Sequence, residues 1–310
     1  MKKYELTNET LVHEGRILHR IRALKDFGEV ESGDLGGWIE KEENLSHEGA
    51  AWVFHEGKVY DNAKVYDDAK IYYYAQVYDS AEIYDSAIIN DFARICSAAQ
   101  IFDRASVCGA AYVYGRAKVY GSAEIYDFVE IYHEAKISGS CRIFDHAEVY
   151  ETAKVYDGAE IRSRARVYGS AEIYNHAELY GFAQVCGKSR VYDVAQVYGN
   201  AHIAGVSEVS DASEVKGYAQ IHNAVIDSGC SYTVIKKFWC SFGTHSALYF
   251  TYTKSNGKWT EGAFCGTSEE LIKRGYEESE ISGMHYEACV KLVETLEREA
   301  QDGQQIFIQR

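Results

Sequence analysis

The sequence predicts a mainly β protein whose centre is a parallel β-solenoid of about ten triangular coils. Three observations predict it. From Ala51 to Ala224 the chain repeats with a six-residue period, as AWVFHE, GKVYDN, AKVYDD, AKIYYY and onward to AQIHNA, giving 29 hexapeptides without insertion or deletion. The third position is Val or Ile in 28 of them and Leu179 in the other, a constancy that no structureless low-complexity tract needs. The 310 residues include no proline, which would remove a ladder donor wherever it fell on a rung.

Residues 1–50 precede the array and contain Arg22-Ala23-Leu24-Lys25-Asp26-Phe27 and Gly33-Asp34-Leu35-Gly36-Gly37-Trp38-Ile39. They are expected to form an N-terminal cap over the first rung, because a bare solenoid edge polymerises.

The array, residues 51–226, reads as four strand residues and a two-residue corner in each hexad. Alternation sends the first and third residues inward and the second and fourth outward. The first is Ala in 23 hexads, small enough to sit near a corner; the fourth is aromatic in 19, mostly Tyr. The fifth is Asp, Gly or Asn in 23, residues that tolerate a turning backbone. Three strands, and so three hexads, close one coil; at ~4.8 Å per rung the rod is roughly 46 Å long.

After Ala224 the six-residue phase breaks, and residues 227–310 read as a small α+β domain. Strand-like runs occur at Tyr232–Trp239, Ala247–Tyr252 and Trp259–Phe264, with Ser255-Asn256-Gly257 as a hairpin turn. Thr267-Ser268-Glu269-Glu270 is a capping box that opens a helix. A second helix from about His285 to Ala300 places Cys289, Leu292, Val293 and Leu296 on its apolar face.

An aliphatic residue followed four positions later by a small one, as in Val65 to Ala69 or Ile83 to Ala87, resembles the hexapeptide-repeat left-handed parallel β-helix proteins. That resemblance implies the left hand, which the general rule for parallel crossovers would reverse. It also implies a trimer or another closed homo-oligomer. Tyr at the fourth position departs from the family, where that residue is usually small or acidic. The segment around Gly33–Ile39 is similar to the lead-in of bacterial and phage members described as acetyltransferases. Gly262-Ala263-Phe264-Cys265-Gly266-Thr267 resembles a C-terminal module common in prophage proteins.

Composition narrows the function classes. The charge is 32 Lys+Arg against 47 Asp+Glu, or −15, which argues against general nucleic-acid binding. No long unbroken apolar stretch suggests a membrane span. Met1-Lys2-Lys3-Tyr4-Glu5 has no apolar secretory core, so a cytoplasmic protein is expected. Eight cysteines occur without a CxxC pair, indicating neither a disulfide framework nor a zinc ribbon.

Many proteins of the resembled family transfer acyl groups from acetyl-CoA, using a His beside a loop that interrupts the coils. Here no loop interrupts the hexads. His55, His133, His146, His176, His202 and His222 fall at outward or corner positions without an evident orienting carboxylate, so no catalytic residue is assigned. Neither a metal site nor a cofactor is assigned: corner aspartates such as Asp61, Asp67, Asp79 and Asp85 read as turn formers. Cys96, Cys108 and Cys186 take outward Tyr positions, Cys141 an inward Ala position, and Cys265 lies between a strand and a helix start.

Positions three hexads apart stack directly, so the surface can be read in lanes. Lys154-Glu172-Arg190-Glu208 and Glu124-Arg142-Glu160 alternate in sign, as cross-strand ion pairs that fix register. Lys118, Lys136 and Lys154 instead set three like charges on consecutive rungs, beside Tyr120 and Tyr156. Ammonium groups flanked by rings suit an anionic, nucleotide-like ligand or a partner's acidic face. The lane Tyr66, Tyr84, Phe102, Tyr120, Tyr156, Tyr174, Tyr192 is the expected oligomer face, being longer than a monomer's usual apolar patch. The resulting expectation is a non-catalytic binding or scaffold protein. The prophage-like module suggests a phage or mobile-element accessory factor that engages a host protein or sequesters a nucleotide-like ligand. The rival is an acyltransferase using acetyl-CoA at a subunit boundary.

Overall fold

The computed structural model describes residues 2–308 apart from 218, 223, 228–230, 240–244, 254–256 and 262–263; for 231–239, 245–249, 296–297 and 299–308 it describes the backbone alone. Its centre is a parallel β-solenoid of about ten turns. Each hexad resolves into two ladder residues, such as Lys64–Val65, and a turn at the fifth and sixth positions. Each strand pairs in parallel with the strands three hexads before and after it, so that Ile125 lies between Val107 and Ile143. Three sheets result, named here by their first array strand as the Trp52, Lys58 and Lys64 faces.

The inward positions form one continuous core. Ala123, Ile125, Ala135 and Ile137 have no exposed surface, and the same holds along nearly the whole array. β-branched residues suit this site because a stiff side chain stacks on its copy one rung away. The fifth residue adopts the left-handed region: φ is 58° at Asp61, 57° at Asp79 and 74° at Gly115. Tyr73, His133 and Glu151 adopt it too, at φ 51°, 58° and 58°, where an L side chain is strained.

The corner aspartates also do something the turn reading does not include. Asp79 Oδ2 accepts the N–H of Ser97 at 3.0 Å, Asp103 accepts that of Gly121 at 2.9 Å, and Asp145 that of Ser163 at 2.9 Å. A corner amide points away from both ladders, and the carboxylate one coil earlier satisfies it.

At the N-terminus, β1 (Tyr4–His13) and β2 (Arg16–Ala23) form an antiparallel hairpin that continues the Lys58 face through β3 (Leu35–Ile39). Trp38 pairs with Lys58 and Leu45 with Val65, a spacing two positions wider than three hexads, so this segment adds a larger coil that the hexad count leaves out. Tyr4 and Phe27 pack edge-on against Trp52 with ring centroids 6.0 and 5.3 Å away. The Tyr4 hydroxyl donates to Leu45 O at 2.8 Å, and Lys3 Nζ donates to Ala51 O at 2.8 Å.

At the other end Val225 pairs with Glu208, one position short of three hexads, where the phase breaks. An antiparallel sheet follows, of Ser231–Trp239, His245–Thr253, Lys258–Glu261 and Phe264–Gly266. The single run expected at Trp259–Phe264 is thus two strands, with Trp259 opposite Gly266. Except for Gly257, the expected turn at Ser255-Asn256-Gly257 lies outside the described residues. Thr251 Oγ1 donates to Gln220 O at 3.1 Å, joining this sheet to the last regular rung.

Helix α1 (Ser268–Glu278) starts on the predicted box: Thr267 accepts from Glu270 N, and Glu270 accepts from Thr267 N. Helix α2 (Glu280–Ile308) begins earlier and ends later than expected. Its buried face is Tyr286, Cys289, Val290 and Val293, whereas Leu292 is 48% exposed. Tyr286 fixes the rotation by meeting Phe250 at 4.8 Å, and at about 100° per residue this turns Leu292 outward. The Leu296 side chain lies outside the described residues.

Candidate functional site

The Lys64 face presents two outward lanes, one from the second position of each hexad and one from the fourth. Register sets Lys118 opposite Lys136 and Lys136 opposite Lys154, as the hexad count predicts. All three are exposed. Lys154 Nζ lies 2.7 Å from Glu172 Oε1, while neither Lys118 nor Lys136 forms an ion pair with a carboxylate among the described residues. The strip is therefore two uncompensated ammonium groups and a third drawn toward the next rung.

The predicted Tyr lane is a ladder of stacked rings. Tyr66–Tyr84, Tyr84–Phe102 and Phe102–Tyr120 are 5.0, 4.9 and 4.9 Å apart by centroid; Tyr156–Tyr174 and Tyr174–Tyr192 are both 5.0 Å apart. Neighbouring planes agree within 4°. Each ring covers the next, leaving the lane half-buried. Burial first, then Glu172 and neighbouring acids, pushes the Tyr156 hydroxyl up to about 12. The ladder breaks once, at Ser138. Greater apolar exposure lies at a corner, where Phe92, Phe128 and Phe182 are 62%, 61% and 53% exposed.

The alternating lanes resolve into discrete pairs: Lys154 with Glu172, Arg190 with Glu208, and Arg142 with Glu160. Two further features were not foreseen. A groove of about 360 Å³ is lined by His146, Glu148, Arg164, Arg166, Phe182 and Gln184, but Arg166 is held by Glu148 at 3.0 Å and Arg164 lies over Phe182.

The second is a contact of 3.5 Å between Cys186 Sγ and His202 Nε2. Burial, with His222 nearby, holds the His202 imidazole below its ordinary range and so neutral at pH 7. The contact follows a diagonal, two positions short of a full coil, that recurs at Cys96–Tyr112 and Tyr60–Gln76. That diagonal was the signal available in the sequence. Cys141, by contrast, is buried, and its thiol is pushed up to about 12 by burial. Among the described residues, no group of three or more His, Cys, Asp or Glu is placed to hold a metal ion. No described helix is long and apolar enough to cross a membrane.

No family model matches the chain. Over 67 residues it is 33% identical to an uncharacterized acetyltransferase, YdcK, of Escherichia coli (strain K12). The match covers 19% of this chain and 21% of that protein, so the chain spans about a fifth of the length of the relative it matches.

Proposed function

We propose that this is a non-catalytic binding protein, a rigid solenoid that holds an anionic, nucleotide-like ligand on the strip of Lys118, Lys136 and Lys154 beside Tyr120 and Tyr156. One observation carries the reading: Lys118 and Lys136 stand on adjacent rungs without a carboxylate partner, whereas Lys154 and Arg190, further along the same face, each have one. Two like charges about 4.8 Å apart repel each other, and a bound anion relieves the repulsion. The uninterrupted hexads support the same reading, since they supply no loop to wall a substrate from water. We extend the proposal to a cytoplasmic homo-oligomer, and to an accessory role in a phage or mobile element on the resemblance of the C-terminal module.

The second reading is acyl transfer from acetyl-CoA at a subunit boundary. The name of the matched relative favours it, as does the thiol–imidazole contact of Cys186 and His202. Incubation with acetyl-CoA and a panel of amines and alcohols, read as free CoA released, separates the two. No release above the background of heat-unfolded protein is expected. Release that Cys186→Ala or His202→Ala abolishes would replace the binding reading with the transferase.

A further inference from the structure

The outward ladders of this solenoid break at several rungs, and three of the breaks are filled from within. At Cys96, between Tyr78 and Tyr114, the ring of Tyr112 leans across with its hydroxyl 3.3 Å from both Cys96 Sγ and Tyr78 Oη. At Cys186 the imidazole of His202 reaches the thiol, with Nε2 3.5 Å from Sγ. At Arg162, between Phe144 and Tyr180, the guanidinium lies 4.1 Å from the Tyr180 ring centroid. In the first two, the filler is the residue two positions short of one coil further on.

Ser138 is different. Its diagonal partner is Lys154, whose ammonium is held 2.7 Å from Glu172, on the rung beyond. Tyr120 stacks on Phe102 and Tyr156 on Tyr174, so each turns one ring face toward the gap. Two rungs separate these rings by ~10 Å, room for one flat ring at stacking distance from both. The break at Asn90 and Cys108 lies among Asp91, Glu124 and Asp127; burial and those acids push the Cys108 thiol up to about 11. Those acids disfavour an anion there; at Ser138 the place of Asp127 is taken by Asp157, but Lys136 stands on its own strand and Lys118 on the rung before.

We infer that the Ser138 gap is a stacking slot for the base of a nucleoside monophosphate, with the base between Tyr120 and Tyr156 and the phosphate on Lys136 and Lys118. Ser138 and Lys136 are next-but-one neighbours on one face, ~7 Å apart, which is the reach of a ribose between base and 5′-phosphate. The slot deepens the binding reading and rests on it.

The test is isothermal titration of the full chain with adenosine 5′-monophosphate, adenosine and inorganic phosphate. The monophosphate is expected to bind roughly tenfold or more tighter than adenosine, and phosphate alone to give no heat. Ser138→Tyr completes the ladder; it should weaken monophosphate binding at least ~10-fold while keeping or raising the melting temperature. If that variant fails to fold, Tyr120→Ala and Tyr156→Ala, which open the slot, should each weaken binding to a similar degree. Wild-type affinity in Ser138→Tyr, or no binding by the wild type, would overturn the slot. Binding lost in Lys136→Gln but retained in Ser138→Tyr would overturn the slot while leaving the lysine strip as an anion site. Release of CoA from acetyl-CoA would refute the non-catalytic reading without bearing on the stacking.

Discussion

The carboxylate of Asp79 accepts the backbone N–H of Ser97 at 3.0 Å, one coil further along, while its own N–H donates to Asp61 Oδ2 at 3.4 Å. Side chains of one corner thus bond amides of the next, and this column runs beside the three ladders. Asp79→Ala removes an acceptor and places an alanine at φ 57°, so a loss of about 2 kcal/mol is expected. Asp79→Gly keeps the backbone conformation and should lose only about 1 kcal/mol. Thermal melts of the two variants separate the hydrogen bond from the backbone strain.

Ile125 and Tyr126 are adjacent, yet they belong to different environments. Ile125→Asp buries a charge among Val107 and Ile143 and should cost several kcal/mol, unfolding the neighbouring coils. Tyr126→Ala loses one stack, on Phe144 at 4.9 Å, and should cost about 1 kcal/mol. Equal melting temperatures for the two variants would contradict the inward and outward assignment.

Stability should fall in alkali. Burial, then neighbouring acids and rings, raises Tyr66, Tyr132 and Tyr156 from 10.0 to about 12. Above pH 10 the unfolded chain releases protons that the folded chain still holds, so unfolding becomes more favourable with each increment of pH. The stabilisation is complete below pH 10 and is lost as pH rises toward 12. Parallel titrations of tyrosinate absorbance and melting temperature check this, and ionisation of most tyrosines near pH 10 without loss of structure would contradict it.

Assembly is the fourth expectation. Tyr66, Tyr84 and Phe102 at one end of the lane and Tyr174 and Tyr192 at the other should carry a discrete homo-oligomer that leaves the Ser138 gap open, a trimer on the family resemblance, and light scattering at high micromolar concentration should give a whole multiple of the chain mass. Tyr84→Glu with Tyr174→Glu should reduce it to one chain. If Phe92→Glu with Phe128→Glu does so instead, the contact runs along the exposed corner.

Legibility followed burial. Ile125 could be placed from sequence because an aliphatic residue recurring once per hexad has one physical use, and register then follows without further information. Asp79 was legible as a turn former, but its bond to Ser97 depends on where a corner amide points. The apolar pattern on α2 fits two rotations, one of which would bury Leu292, and Tyr286 against Phe250 selects the other. At the candidate site, the alignment of Lys118, Lys136 and Lys154 came directly from counting three hexads to a coil. The difference between Ser138 and Cys96 did not, since it turns on whether Tyr112 leans inward and whether Glu172 draws Lys154 aside.

Because rungs within the hexad array lie three hexads apart, the molecule has a reading frame counted in amino acids, much as a gene has one counted in nucleotides. Excising three hexads from the array shortens the rod by one step and leaves every column intact. Excising a single hexad between Lys118 and Lys154 would move Lys154 into the position of Glu148, on the Lys58 face, and carry Glu172 with it. The core would accept either change, since all hexads but the one opened by Val129 offer it a small residue and an aliphatic one at the same places. Only the outward residues would register the shift, so length changes in such a chain act on its surface and spare its interior.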